Sequence, residues 1–257
     1  MTQAELPAES FESFSILEHL NELRIRLTWV AAGIVAGTII ALFFTTNLLE
    51  YILTPYDGPV TSLGPTDGIE VFFRIAITAG MTLSMPWIVY QLWLFIEPAL
   101  TKAEKKYVYI FIPATVLLFV VGILFAWFVL VPTAINFLST FLTEEAGTDI
   151  FKIEWTGDLY ISFVLKMVFW LGVSFEMPVV FYFIGRFGLM THKVLAEQWR
   201  FAIVGVAILA AIITPSIDPI TMLITMLPLL ILYFLSIGTT FVGYRHNQRH
   251  LGIEPES

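Results

Sequence analysis

Residues 167–185 read MVFWLGVSFEMPVVFYFIG. The stretch is apolar almost throughout and holds one carboxylate, Glu176; the nearest basic residues, Lys166 and Arg186, are each ten positions away. As a helix it extends ~28 Å, close to the ~30 Å hydrocarbon core of a bilayer. A carboxylate at that depth costs at least ~2.5 kcal/mol, so a chain that keeps one lines a cavity, a relay or a binding surface with it.

Similar windows recur along the chain. Its 257 residues are 58% hydrophobic and 13% charged, against roughly 25% charged in soluble domains. The pattern predicts an all-α, polytopic membrane protein with six transmembrane helices, at about 27–49, 71–97, 106–138, 159–185, 199–213 and 219–241. Residues 1–13 read as a disordered tail, 14–245 as a single membrane domain and 246–257 as a second tail. The start, MTQAELPAESFESF, has no basic n-region, so no cleaved signal peptide is expected.

Ten of the thirteen Lys and Arg residues fall before the first helix, after the last, or in the second and fourth connections. Positive charge marks the cytoplasmic side, so both termini are expected there. The remaining three are Arg74, Lys152 and Lys166, and Lys166 is expected to snorkel to the outer interface. The fifth apolar run, Phe201 to Ile213, has only 13 residues, ~20 Å of helix and too short to span without local thinning. The third helix carries Pro113 and Pro132, where a tilt or bend is expected.

The composition also excludes function classes. There is no cysteine, which removes disulfides, thiolate metal sites, iron–sulfur clusters and thiol nucleophiles. The only metal-spaced histidines, His246 and His250, lie in a polar tail, and no phosphate-binding glycine motif is present. No cofactor or metal is expected, and the net charge of −8 argues against nucleic acid as a partner. No intramembrane histidine or acidic dyad supports an enzyme.

Before the first span, SILEHLNELRIRL (15–27) carries Ile16, Leu20, Leu23 and Leu27 at helical spacing. It reads as an amphipathic surface helix. On its polar side Glu22 either pairs with Arg26 at i, i+4 or waits for a cationic ligand. Glu104, in PALTKAEKKY, either completes a capping box with Thr101 or serves a ligand. Glu176 either accepts a hydrogen bond, with Gln91 or Ser84 as candidate donors, or lines a cavity. Asp218, before Pro219, reads as the N-cap of the last helix.

Together these strings resemble one family, the TatC subunit of the twin-arginine protein translocase. The resemblance rests on HLNELRIRL (19–27), LTP (53–55), YQLWLFIEPALTKAEKKY (90–107), LGVSFEMP (171–178) and ITPSIDP (213–219). It covers roughly residues 14 to 245 in the family's order. It implies a receptor in the cytoplasmic (inner) membrane of a prokaryote. That receptor binds signal peptides carrying two adjacent arginines and exports folded proteins, driven by the proton-motive force. The implied partners are single-span TatA-type and TatB-type subunits, further copies of the chain, and the lipid bilayer. By position, Glu22 and Glu104 would hold the arginines, and Phe95 would lie in the signal-binding face. Glu176, with Gln91, would be the polar point of an intramembrane cavity, and Pro55 would shape the outer loop. The chain departs from the family pattern at Met222, Phe234 and Leu171; the first two weaken the expectation that polar contacts on the last helix recruit a partner. The alternative reading is a proton-coupled secondary transporter with Glu176 as its coupling residue.

Overall fold

The computed structural model describes residues 9–56, 60–97, 108–144, 155–214 and 219–250. Glu104 and Asp218, both singled out above, lie outside the described residues. The described residues form eleven α-helices: α1 (Glu9–Leu42), α2 (Thr45–Leu53), α3 (Asp67–Leu83), α4 (Met85–Ile96), α5 (Val108–Phe125), α6 (Val131–Glu144), α7 (Gly157–Ser174), α8 (Met177–Arg186), α9 (His192–Glu197), α10 (Trp199–Ile213) and α11 (Pro219–His250). A π-helical turn, Ala126–Leu130, joins α5 to α6.

Among the described residues, four stretches are long and apolar enough to cross a bilayer: Glu18–Leu42, Phe111–Ser139, Gly157–Arg186 and Pro219–His246. A fifth is the pair α3 and α4, bent by 47° at its break, and α10 is a shorter apolar helix. Several expected boundaries move. The separate surface helix is absent: α1 runs unbroken from Glu9 to Leu42, because no proline or glycine interrupts residues 9–32. The first span ends at Leu42 rather than 49, and α2 follows it. The second is broken at Ser84, where Pro86 enters the first turn of α4 and cannot donate to the carbonyl four residues back. The fourth is broken at Phe175–Glu176, two residues before Pro178, for the same reason. The disturbance expected at Pro132 takes the form of the π turn just before it, which widens the ladder around the ring. The short α10 spans Trp199–Ile213 as its sequence indicates.

The chain divides into two compact units, Met1–Phe43 with Ala79–Val116, and Phe44–Thr78 with Leu117–Ser257. In the first, α1 crosses the α3–α4 break at very short range. A Cβ on Gly37 would lie 2.6 Å from the Gly80 carbonyl oxygen, and one on Gly80 would lie 2.4 Å from the Thr38 Cα. Small residues of this kind let membrane helices pack backbone to backbone. Ser84 Oγ is shared between the carbonyls of Gly33 and Gly80, at 2.8 and 2.7 Å, and Trp87 Nε1 donates to the Trp29 carbonyl at 2.9 Å.

In the second unit, Ile75, Val131, Tyr160, Met167, Leu171 and Leu229 form part of a buried core. Tyr160 Oη donates to the Ile52 carbonyl at 3.0 Å, which ties α2 to α7. The segment after α2 is held by Tyr56, whose ring packs against Tyr160 and Trp155. Thr61 N–H donates to the Trp155 carbonyl at 3.0 Å, and Gly157 N–H to the Thr61 carbonyl at 2.9 Å. Pro55 sits half-buried in the turn that ends α2. Helices α8 and α11 lie against each other along Gly185 and Gly243, where a Cβ would come within 2.5 Å of the Thr240 carbonyl oxygen and 2.2 Å of the Tyr182 carbonyl oxygen respectively.

Candidate functional site

The first unit gathers the polar residues of HLNELRIRL around the end of α4. Glu22 Oε1 lies 3.3 Å from Arg26 Nη2, one turn further along α1. Arg26 also reaches α4, where its Nη1 donates to Gln91 Oε1 at 3.5 Å. The local i, i+4 pair is therefore formed, and the same guanidinium ties α1 to a buried glutamine. Three positions before Glu22, His19 lies over the ring of Phe95, with centroids 4.4 Å apart and planes 21° from parallel. Residues at i and i+3 share a helix face, so Glu22 stands beside this stacked pair. His19 is exposed, while Glu22 and Phe95 are half-buried. The result is an aromatic shelf with a carboxylate at its edge. A guanidinium meeting it would find a carboxylate for paired hydrogen bonds and a ring face for stacking.

Glu176 belongs to the second unit and has different surroundings. It occupies the two-residue break between α7 and α8, with helical backbone angles (φ −74°, ψ −14°) and no capping hydrogen bond from its side chain. The residue is 8% exposed. Neither carboxylate oxygen has a hydrogen-bond partner among the described residues. Gln91 and Ser84, the candidate donors from sequence, both belong to the first unit; there Gln91 Oε1 accepts from Arg26 and the Ser84 hydroxyl is engaged with two backbone carbonyls. The break itself is well supported. Thr239 Oγ1 of α11 donates to the Pro178 carbonyl at 2.7 Å, and the Phe175 ring packs against Phe125 with centroids 5.9 Å apart. A buried polar group with no partner is costly, so this one is held by the packing of its neighbours.

Of the residues singled out in sequence, the structure joins Phe95 and Gln91 to the α1 cluster containing Glu22, and places Glu176 and Pro55 in the other unit. His19 was missed as a site residue; its only signal was its place on the face of Glu22. Among the described residues no group of three or more His, Asp or Glu side chains is arranged to hold a metal ion.

Comparison with known proteins bears on this arrangement. The family model described as Sec-independent protein translocase protein (TatC) matches residues 18–228. A Koribacter versatilis protein of that name is 32% identical over 256 residues, covering 96% of this chain and 92% of the relative. A Helicobacter pylori protein of the same name is 37% identical over 219 residues, covering 85% and 86%. One from Aquifex aeolicus is 35% identical over 228 residues, covering 86% and 92%. Two crystal structures, each described as the twin arginine translocase receptor TatC, superpose with TM-scores of 0.77 and 0.79 at 33% and 35% identity. Each aligns with 88% of this chain, and with 100% and 99% of the crystallised chain respectively. The chain is a membrane protein and belongs to the TatC family of protein translocase subunits.

Proposed function

We propose that this chain is the signal-peptide receptor and core subunit of a translocase that exports folded proteins through the inner membrane of a prokaryote, driven by the proton-motive force. The observation that carries the reading is Glu22 standing at the edge of the stacked His19–Phe95 pair. In this reading Glu22 and Glu104 each take one guanidinium of an arginine pair. A bidentate guanidinium–carboxylate contact has a geometry that lysine cannot reproduce. On arrival of the ligand, Glu22 exchanges its internal partner Arg26 for a signal arginine, and Arg26 stays anchored on Gln91.

The chain crosses the membrane six times, counting α3 with α4 as one bent span and α10 as a short one, with both termini cytoplasmic. Residues 14–245 work as one membrane domain. TatA-type and TatB-type single-span subunits, and further copies of the chain, complete the translocase. The chain itself is not an enzyme and uses no cofactor. Glu176, buried at a helix break, acts after recognition as the polar point of an intramembrane cavity. Titration there against small-solute flux, as in a transporter, finds no support in the family relationship.

Photo-crosslinking tests the reading directly. A twin-arginine peptide is offered to the membrane-embedded chain carrying a photoreactive residue at successive positions in 14–26 and 95–106. Adducts clustering around 19, 22 and 95, and disappearing when both peptide arginines become lysine, are the expected result. Adducts spread evenly along both segments, or unaffected by the lysine change, would sink it.

A further inference from the structure

Arg74 lies on α3, in the part of that helix that belongs to the second unit. Its guanidinium donates to the Asp158 carboxylate and to the Ser162 hydroxyl, both on α7, and lies 3.4 Å from the Asp158 carbonyl oxygen. Asp158, Ser162 and Lys166 follow one another at four-residue intervals, so they form a stripe on one face of α7. Arg74 covers the first two. Lys166 is exposed and has no hydrogen-bond or ion-pair partner among the described residues.

These four side chains line one part of a cavity of about 580 Å³, within the range of small-molecule sites. The rest of its wall is apolar, from Leu138, Trp155, Leu159 and Phe163. Two cations face one carboxylate, so the cavity has room for one more negative charge.

Depth fixes the kind of anion. Lys166 is nine residues past the start of α7, ~13 Å along the axis, and Arg74 is seven past the start of α3, ~10 Å. If these helix starts stand in water, both cations lie near the boundary between headgroups and acyl chains, each polar layer being ~5–8 Å thick. A lysine there extends its ammonium back toward the phosphates. A cationic end and an apolar wall at that level suit an amphiphile carrying a negative phosphate, as do basic pockets between membrane helices generally. We propose that this cavity binds the headgroup phosphate of an anionic phospholipid, with Lys166 and Arg74 on the phosphate.

The test is native mass spectrometry of the full chain in mild detergent, titrated with phosphatidylglycerol and, separately, with phosphatidylcholine. The chain should retain one phosphatidylglycerol in preference to phosphatidylcholine, whose choline cation meets Lys166. Lys166→Gln should weaken retention roughly tenfold, the loss of one charge-assisted contact, and Lys166→Arg should keep it. Lys166 is exposed and unpaired, so these variants leave the packing intact; an unchanged melting temperature in lipid-free detergent checks this. Equal retention by wild type and Lys166→Gln would overturn the site, as would equal retention of the two lipids. Displacement of phosphatidylglycerol by millimolar inorganic phosphate would assign the cavity to a soluble anion and overturn the lipid reading.

Discussion

The imidazole of His19 lies face to face with the phenyl ring of Phe95, 4.4 Å between centroids. The contact joins α1 to the end of α4 within one compact unit and sets the floor beside Glu22. Aromatic pairs of this kind are worth ~0.5–1.5 kcal/mol beyond their burial. His19→Ala and Phe95→Ala are each expected to weaken crosslinking to a twin-arginine peptide by roughly two- to tenfold. The double variant should lose less than the product of the two single effects, because each ring supports the other. Multiplicative losses would show that the rings act separately.

Glu22→Gln separates the local role of the carboxylate from its role in recognition. The pair with Arg26 is partly exposed, so its loss should cost only ~0.3–0.5 kcal/mol of stability. A charge-assisted hydrogen bond to a ligand is worth ~1.5–3 kcal/mol, so peptide affinity should fall by roughly 10- to 100-fold. Thermal melts in detergent and peptide titration, run on the same preparation, measure the two effects. A large drop in melting temperature with near-normal peptide binding would confine Glu22 to a structural role.

Glu104→Gln discriminates in the same way, since glutamine also completes a capping box. If the side chain only caps, the variant binds peptide normally. If it holds an arginine, affinity falls by a factor similar to that of Glu22→Gln while the chain remains inserted.

Hydrophobic runs made the membrane class, the α10 boundaries and the isolated Glu176 legible in sequence. Each depends on composition over a window. The continuity of α1 was not legible that way. Arg24 and Arg26 mark a change of solvent, but nothing in residues 9–32 terminates a helix. The breaks at Ser84 and Glu176 were announced by Pro86 and Pro178, yet a hydropathy reading merges such helices because the apolar run continues across the break. The recruitment of Gln91 to Arg26 joins positions 65 apart, and the His19–Phe95 stack is likewise a tertiary contact. Periodicity along one helix cannot supply either. Arg74 read in sequence only as a charge count, until its contacts with Asp158 and Ser162 were visible.

Glu176 is buried with both oxygens unpartnered among the described residues, a state that costs stability. Removing the group should return some of that cost, on the order of 1–3 kcal/mol. Glu176→Leu is therefore expected to raise the melting temperature or leave it unchanged, to leave peptide crosslinking intact, and to abolish export of a folded reporter. A melting temperature lowered by many degrees would show that the carboxylate has a stabilising partner. Loss of peptide binding equal to that of Glu22→Gln would place Glu176 in recognition rather than after it.

Backbone contact between helices sets the last expectation. A Cβ at Gly243 would fall 2.2 Å from the Tyr182 carbonyl oxygen and 3.0 Å from the Arg186 nitrogen, both backbone atoms of α8. Neither can turn aside, so α8 and α11 must separate, and Thr239 would lose register with the Pro178 carbonyl it now reaches at 2.7 Å. Gly243→Ala should cost on the order of 1–3 kcal/mol, the usual penalty of overpacking. At Gly205 and Gly238 an added Cβ meets nothing within 4 Å, and both lie inside helices, where alanine is favoured over glycine by ~1 kcal/mol. Gly205→Ala and Gly238→Ala should therefore be neutral or stabilising. Melting temperatures of the three variants in one detergent decide the matter. If Gly243→Ala melts with the other two, the close approach of α8 and α11 does not govern how these helices pack.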